Sequence, residues 1–139
     1  MNSTIRQTIH TSIGGDKIRI RISNAFGTTD LPITAVTVAL PVNGSAGVSA
    51  IQAKTLHTVT FSGSANYTIP NGALVVSDPI NLRVAPQSML TVTIYLKDGQ
   101  TTNFITSHPG SRTTSWMAYG NQVSAANITD SNRKGVQHW

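Results

Sequence analysis

Met89-Leu-Thr-Val-Thr-Ile-Tyr-Leu-Lys97 alternates without a break between two kinds of side chain. Leu90, Val92, Ile94 and Leu96 fall on one side of an extended chain, and Thr91, Thr93 and Tyr95 on the other. A period of two marks a strand with one face on a core and one towards solvent. The aliphatic set is therefore expected inside and the threonines and Tyr95 outside. Lys97-Asp98-Gly99-Gln100 then closes the strand as a hairpin turn.

The same period opens the chain. In residues 4–12, Ile5, Gln7 and Ile9 share one face, and Arg6, Thr8 and His10 the other. In residues 17–23, Ile18, Ile20 and Ile22 alternate with Lys17, Arg19 and Arg21. Gly14-Gly15-Asp16 lies between them, and glycine takes positive φ without steric cost, so a hairpin is predicted. Its outer face would collect Arg6, His10, Lys17, Arg19 and Arg21. Such a face either keeps the sheet edge solvated or docks another domain or an acidic partner.

Further strands are expected at 33–40, 55–61 and 66–70, from Leu74, over Ile80–Val84, and at 102–107, 113–119 and 122–126. Breaks fall at Ser23–Gly27, where Phe26 suits a plug at a sheet corner, and at Asn71-Gly72, Ser77-Asp78-Pro79 and Gly120-Asn121. Residues 41–50 read as a flexible surface loop. No stretch reads as a helix of more than a turn or two. The expectation is one all-β domain over residues 1–139, an antiparallel β-sandwich with a jelly-roll-like or Greek-key layout. Residues 127–139 read as a polar, basic tail or as a truncated crossover to a further domain.

Composition supports strand over helix. Charged residues make up 11%, against roughly 25% in ordinary soluble domains. Every acid is Asp, and Thr and Ser fill roughly a quarter of the chain. β-branched Thr packs well on a pleated surface. The net charge of +5 comes from cations spread along the length without interleaved aromatics, which argues against nucleic acid. No apolar run approaches the length of a membrane span. With no cysteine there is neither a disulfide nor a thiolate metal site. Four Asn-x-Ser/Thr sequons, at Asn2, Asn43, Asn66 and Asn127, point towards a secreted origin. No signal peptide precedes the first strand, so Met1 is either a cytosolic start or the start of an expressed mature fragment.

The most chemically loaded stretch is Ser107-His-Pro-Gly-Ser-Arg-Thr-Thr-Ser-Trp116. His108, Arg112 and Trp116 together hydrogen-bond, ion-pair and stack, and loops on a rigid sheet are where β proteins carry such groups. The competing reading is a connection in which Arg112 satisfies backbone carbonyls and Trp116 fills the core. Hydrolytic machinery is absent. There is no Gly-x-Ser-x-Gly elbow, and a triad drawn from Ser107 or Ser111, His108 and Asp78 is one that any serine-rich chain permits. Five scattered Asp residues supply neither a glycosidase carboxylate pair nor a calcium loop. The histidines, at 10, 57, 108 and 138, are too dispersed for a metal site. What remains is a neutral hydroxyl- and amide-rich surface with aromatic platforms, which suits sugar recognition. Candidate ligand-binding residues are Arg112, His108, Trp116, Ser111, Asn24 and Tyr95. No cofactor is expected.

Several blocks resemble a known family. They are Thr4-Ile-Arg-Gln-Thr-Ile-His10, Ile18-Arg-Ile-Arg-Ile-Ser-Asn-Ala-Phe-Gly27, Leu31-Pro-Ile-Thr-Ala35, Asn71-Gly-Ala-Leu-Val-Val-Ser-Asp-Pro-Ile80 and Thr106-Ser-His-Pro-Gly-Ser-Arg-Thr-Thr-Ser-Trp116. In this order they resemble the N-terminal β-rich accessory region of secreted fungal SGNH (GDSL-type) esterases. The resemblance implies a β-sandwich preceding a flavodoxin-like hydrolase domain, an extracellular setting, and a crossover near His138-Trp139. The family's Gly-Asp-Ser turn, Gly-x-Asn-Asp segment and Asp-x-x-His are absent; Gly15-Asp16 is followed by Lys17. No catalytic residue carries over, and the chain is not expected to be an enzyme by itself.

Two accounts follow. The leading one is a lectin-like module that binds carbohydrate. The other is a unit that packs on an SGNH catalytic domain and shapes its cleft, with Arg6, Arg19, Arg21 and Trp139 at the interface. The second calls for an exposed apolar patch. The first calls for a polar one, or one covered by a second copy in a symmetric dimer.

Overall fold

The structure, a computed structural model, describes residues 2–99, 102–107 and 112–128, and the backbone of 134–137. Its strands are β1 (Ser3–Thr11), β2 (Arg21–Ser23), β3 (Leu31–Ile33), β4 (Ala35–Ala39), β5 (His57–Thr58), β6 (Tyr67–Ile69), β7 (Leu74–Val76), β8 (Ser88–Leu96), β9 (Thr114–Tyr119) and β10 (Lys134–Gln137). Helical geometry among the described residues is confined to 3-10 turns at Val42–Gly44 and Ala53–Thr55. The fold is all-β and antiparallel, as the alternation predicts.

Six strands form one sheet in the order β10-β9-β1-β8-β4-β5. β1 and β8 pair along their full length, from Ser3 opposite Leu96 to Thr11 opposite Ser88. Directly opposed residues share a face. Ile5 and Val36 both oppose Ile94, Val38 opposes Val92, and Ile9 opposes Leu90. This aliphatic face joins one core with Ile20, Ile33, Val59, Phe61, Ile69, Ile80, Leu82 and Val84. The segments that supply those residues include two two-stranded ribbons, β2–β7 and β3–β6, and bridges at Gly15–Val84 and Ile18–Ile80. Short ribbons thus stand where a second continuous sheet was expected.

The predicted hairpin of 4–12 with 17–23 does not form. β8 takes one side of β1 along its whole length, and β9 takes the other side from Ser3 to Arg6. The chain leaves the sheet after Thr11, and Arg21–Ser23 pairs with Leu74–Val76 instead. Gly14 serves a close approach: a Cβ there would lie 2.5 Å from the Val84 carbonyl and 2.7 Å from Pro86 N. The expected strands at 102–107 and 122–126 are likewise irregular chain, and Ile80–Val84 makes isolated bridges. In the basic stretch read as a tail, Lys134–Gln137 pairs with β9.

The larger correction concerns the threonine face. Thr4, Arg6 and Thr8 oppose Tyr95, Thr93 and Thr91, and Thr37 and Trp116 lie on the same side. That face is internal. Arg6 is 0% exposed, whereas Ile9 on the aliphatic face is 44% exposed. Segments 45–52 and 120–128 cover it, and the sheet's polar groups bind their backbones. Thr8 Oγ1 accepts from Gly47 N at 2.7 Å, Thr37 Oγ1 donates to Val123 O at 2.7 Å, and Thr4 Oγ1 donates to Gly120 O at 2.7 Å. The two covering segments also join each other, through Ile51 N to Ala126 O at 2.8 Å and Ser49 Oγ to Asn127 Oδ1 at 2.8 Å. The stretch read as a flexible loop is therefore partly interior.

Arg6 is the centre of this network. Its Nε donates to Thr93 Oγ1 at 2.9 Å and Nη1 to Ser49 O at 2.7 Å. Nη2 donates to Ala125 O at 2.8 Å and Gln122 O at 3.3 Å. Among the described residues no carboxylate pairs with it. Burial lowers the guanidinium pKa to about 10, which leaves it charged at neutral pH.

Two predictions follow from this face. Arg6→Ala strands three loop carbonyls and opens a void, so it is expected to cost about 3 kcal/mol or more in urea unfolding, with Arg6→Lys recovering only part. Thr91 Oγ1 is buried without a hydrogen-bond partner. Thr91→Val replaces that hydroxyl with a methyl, and a thermal melt should show a Tm higher by a few degrees, reflecting a gain of about 1 kcal/mol.

Candidate functional site

The sequence-derived ligand residues separate in the structure. His108 and Ser111 lie outside the described residues, as does the interface candidate Trp139. Arg112 is exposed at the approach to β9. Trp116 is half-buried on the threonine face, opposite Arg6, and its indole N–H donates to Gly47 O at 2.9 Å. Tyr95, expected to be an exposed platform, is buried, and its hydroxyl donates to Asn2 Oδ1 at 2.6 Å. Arg6 is interior and cannot be an interface residue. Arg19 and Arg21 are exposed as expected.

Asn24 is also a structural residue. It is buried, and its Nδ2 donates to Thr29 O at 2.8 Å, Ile69 O at 3.2 Å and Pro70 O at 3.3 Å. Its main chain adds Asn24 N to Ala73 O at 2.8 Å and accepts from Gly72 N at 3.1 Å and Gly27 N at 3.2 Å. This side chain welds the loop after β2 to the turn before β7. The weld needs glycine three positions on, because a Cβ on Gly27 would collide with Asn24 Oδ1.

With Asn24 filling the corner, the residues between it and Gly27 are turned outward. Phe26, expected as a plug, is 73% exposed. Its backbone N–H donates to Thr106 Oγ1 at 3.0 Å, and Thr28 Oγ1 donates to Thr102 Oγ1 at 3.2 Å. These bonds bring in the 102–107 loop, which carries Phe104, itself 64% exposed. Two phenylalanines thus stand out on adjoining loops among threonine hydroxyls. The outer face of ribbon β2–β7 leads up to them, with Arg21 opposite Val76 and Ser23 opposite Leu74, all of them exposed except half-buried Ser23. Neither phenylalanine was singled out as a ligand contact. The Asn24–Gly27 spacing was the available signal, since it fixes which residues turn outward.

Catalytic groups do not assemble among the described residues. Asp78 accepts from Thr60 Oγ1 at 2.7 Å, Gly63 N at 2.8 Å and Ser62 N at 3.1 Å. It therefore caps a turn in which Ser62 and Gly63 have positive φ. The Gly63 N–H, then the Thr60 hydroxyl, holds its carboxyl below the ordinary carboxylate range. Two shallow hollows, of about 290 and 260 Å³, meet at Arg83 and Ala85, and neither collects a histidine with a serine and a carboxylate. No group of three or more His, Asp or Glu suited to a metal occurs among the described residues. No helix there is long and apolar enough to cross a membrane. No protein-family model matches the chain, and no curated protein matches it.

The lowered Asp78 pKa has a fixed sign. A carboxylate depressed by folding adds stability above its unfolded pKa, and that stability is lost as pH falls through the folded value. Asp78→Asn should therefore be less stable than the parent at about pH 7, and the gap should narrow as pH falls through the acid range in parallel denaturant titrations.

Proposed function

We propose that this chain is a non-catalytic, carbohydrate-binding β-domain of the kind that accompanies fungal secreted SGNH-type esterases. Its binding surface is the Phe26–Phe104 loop end, in place of the residues first singled out. The observation that supports this reading is Phe26: a large apolar side chain, 73% exposed, on a loop tied down by Asn24 and held at the Phe26 N–H by Thr106. A sugar ring offers a C–H face that stacks on an aromatic ring and hydroxyls that bond to neighbouring Thr and Asn side chains. Thr28, Thr102, Asn103 and Thr106 occupy those same loops. A rigid platform loses little entropy on binding, and an open surface suits a stretch of polymer better than a small molecule. The test is a glycan array with an ester-cleavage control. One glycan class should bind without ester cleavage, and Phe26→Ala should weaken binding about tenfold or more at unchanged Tm.

A second reading has its own observation. Leu74 and Val76 are exposed on the same face, 51% and 43%, and aliphatic side chains suit a protein surface better than a sugar. Packing on a hydrolase domain would call for an exposed apolar patch, and these two side chains support that reading. A blank glycan array, together with association of the chain with an SGNH-type catalytic domain, would favour it.

A further inference from the structure

Lys17, Arg19 and Arg21 are all exposed and alternate with the buried or half-buried Ile18, Ile20 and Ile22. Alternate residues of an extended chain are about 6.7 Å apart, which spaces Arg19 and Arg21, and Lys17 stands at the bend that leads into this segment. The antiparallel segment beside them, bridged at Ile18–Ile80 and Gly15–Val84, adds exposed Arg83. The row continues through Arg21 and Ser23 of β2 to the loop that carries Phe26.

The acids nearby do not neutralise this row. Asp16 lies 3.7 Å from Arg83, but both side chains are 89% exposed, and such a pair is worth little. The Asp78 oxygens are taken up by Thr60, Ser62 and Gly63, and Asp30 accepts from Asn71 N at 2.9 Å. Arg19 gives one bond, Nη1 to Ser77 O at 3.3 Å, and the residue is exposed. Asp78 also feels the charge of Arg19, which is the weakest of the causes that lower its carboxyl, and no described carboxylate lies within ion-pair distance of Lys17, Arg19 or Arg21.

We infer that this surface binds an acidic polysaccharide, a linear glycan with a carboxylate on its sugar units. The inference rests on the carbohydrate reading and names the class of glycan. The Phe26 ring takes the apolar face of a sugar, and the carboxylates of neighbouring units meet Arg21, Arg19 and Lys17 in turn. Arginine forks match carboxylates in two-bond geometry. A flat row of charge fits an extended polyanion and offers no enclosure for a small one. Single-stranded nucleic acid fits less well, because its bases call for aromatics interleaved with the cations, and here the aromatics stand at one end.

The test is retention in affinity gels containing polygalacturonate, with neutral galactan, poly-L-glutamate and single-stranded DNA as parallel gels. Polygalacturonate should retard the protein, and raising NaCl from about 0.05 to about 0.5 M should release it. Lys17→Glu with Arg21→Glu should weaken retention at low salt by about tenfold or more, at unchanged Tm; both side chains are exposed, and neither forms a salt bridge among the described residues. Phe26→Ala should weaken it as well. Equal or stronger retention by poly-L-glutamate or DNA would overturn the inference, since charge alone would then explain it. Binding to a neutral glycan that ignores the charge reversals would overturn it while leaving the carbohydrate reading intact. Retention by no polysaccharide, with a blank glycan array, would overturn both.

Discussion

The guanidinium of Arg6 decides what the large sheet can be. It rises from the middle of β1 and contacts a neighbouring strand through Thr93 and both covering segments through Ser49, Gln122 and Ala125. A cation held by neutral carbonyls costs desolvation energy of several kcal/mol, offset only when nearly every N–H finds an acceptor. The planar fork meets that demand, with its donors spread over four partners. A lysine would carry the same charge on three donors at one point and could not reach all three carbonyls. The threonines around it then have a defined task. Thr4, Thr8 and Thr37 supply hydroxyls at fixed heights above the sheet, where the covering chains bring their amides and carbonyls, and Thr93 accepts from Arg6 itself.

This arrangement marks the limit of the sequence reading. Alternation located β1, β8 and β9 almost to the residue and identified the aliphatic face, because a period of two survives whatever covers the strand. It could not tell that the other face is covered too. A row of threonines serves solvent and a hydrogen-bonded interior equally well, and a single arginine is usually exposed. Only the pairing of Thr4, Arg6 and Thr8 with Tyr95, Thr93 and Thr91 shows that these groups form one patch. The covering chain misled for a related reason. The Gly, Ser and Ala of residues 43–50 read as mobile because their side chains are short, and short side chains also let a backbone lie flat on a sheet. The false hairpin had a local cause: Gly14-Gly15-Asp16 permits a turn, but distant β8 offers β1 a longer and better matched partner.

At the candidate site the misreadings form an exchange. Asn24 and Tyr95, polar enough to suggest ligand contacts, are internal ties; Phe26, apolar enough to suggest core, is displayed. One local constraint produces most of this. A buried primary amide must satisfy its hydrogens, and Asn24 does so on three carbonyls of chain on either side of it in space. Its carbonyl side leaves no room for a Cβ at position 27. The two residues between are turned away from the core, so the exposure of Phe26 follows from the satisfaction of Asn24. A polar corner and an exposed aromatic are thus one feature of the motif Ser23-Asn-Ala-Phe-Gly27.

The two halves of the structure bear on each other. A half-solvated sheet ordinarily offers its polar face as a broad surface for recognition. Here that face is spent on Arg6 and its loops, and the opposite face on the aliphatic core. Among the described residues, the proposed recognition surface is therefore sought outside the sheet, on the ribbon faces and the loops that end them. Ribbon β3–β6 contributes Tyr67, whose ring leans on Phe61 with centroids 5.6 Å apart, and it carries no cation. Ribbon β2–β7 and the chain leading into it carry Lys17, Arg19 and Arg21 at one end and lead to Phe26 at the other. Of the surfaces that remain, this one combines charge with an apolar platform. It is anchored from below by Ile20 and Ile22, whose packing on the core fixes the alternation that turns the cations outward.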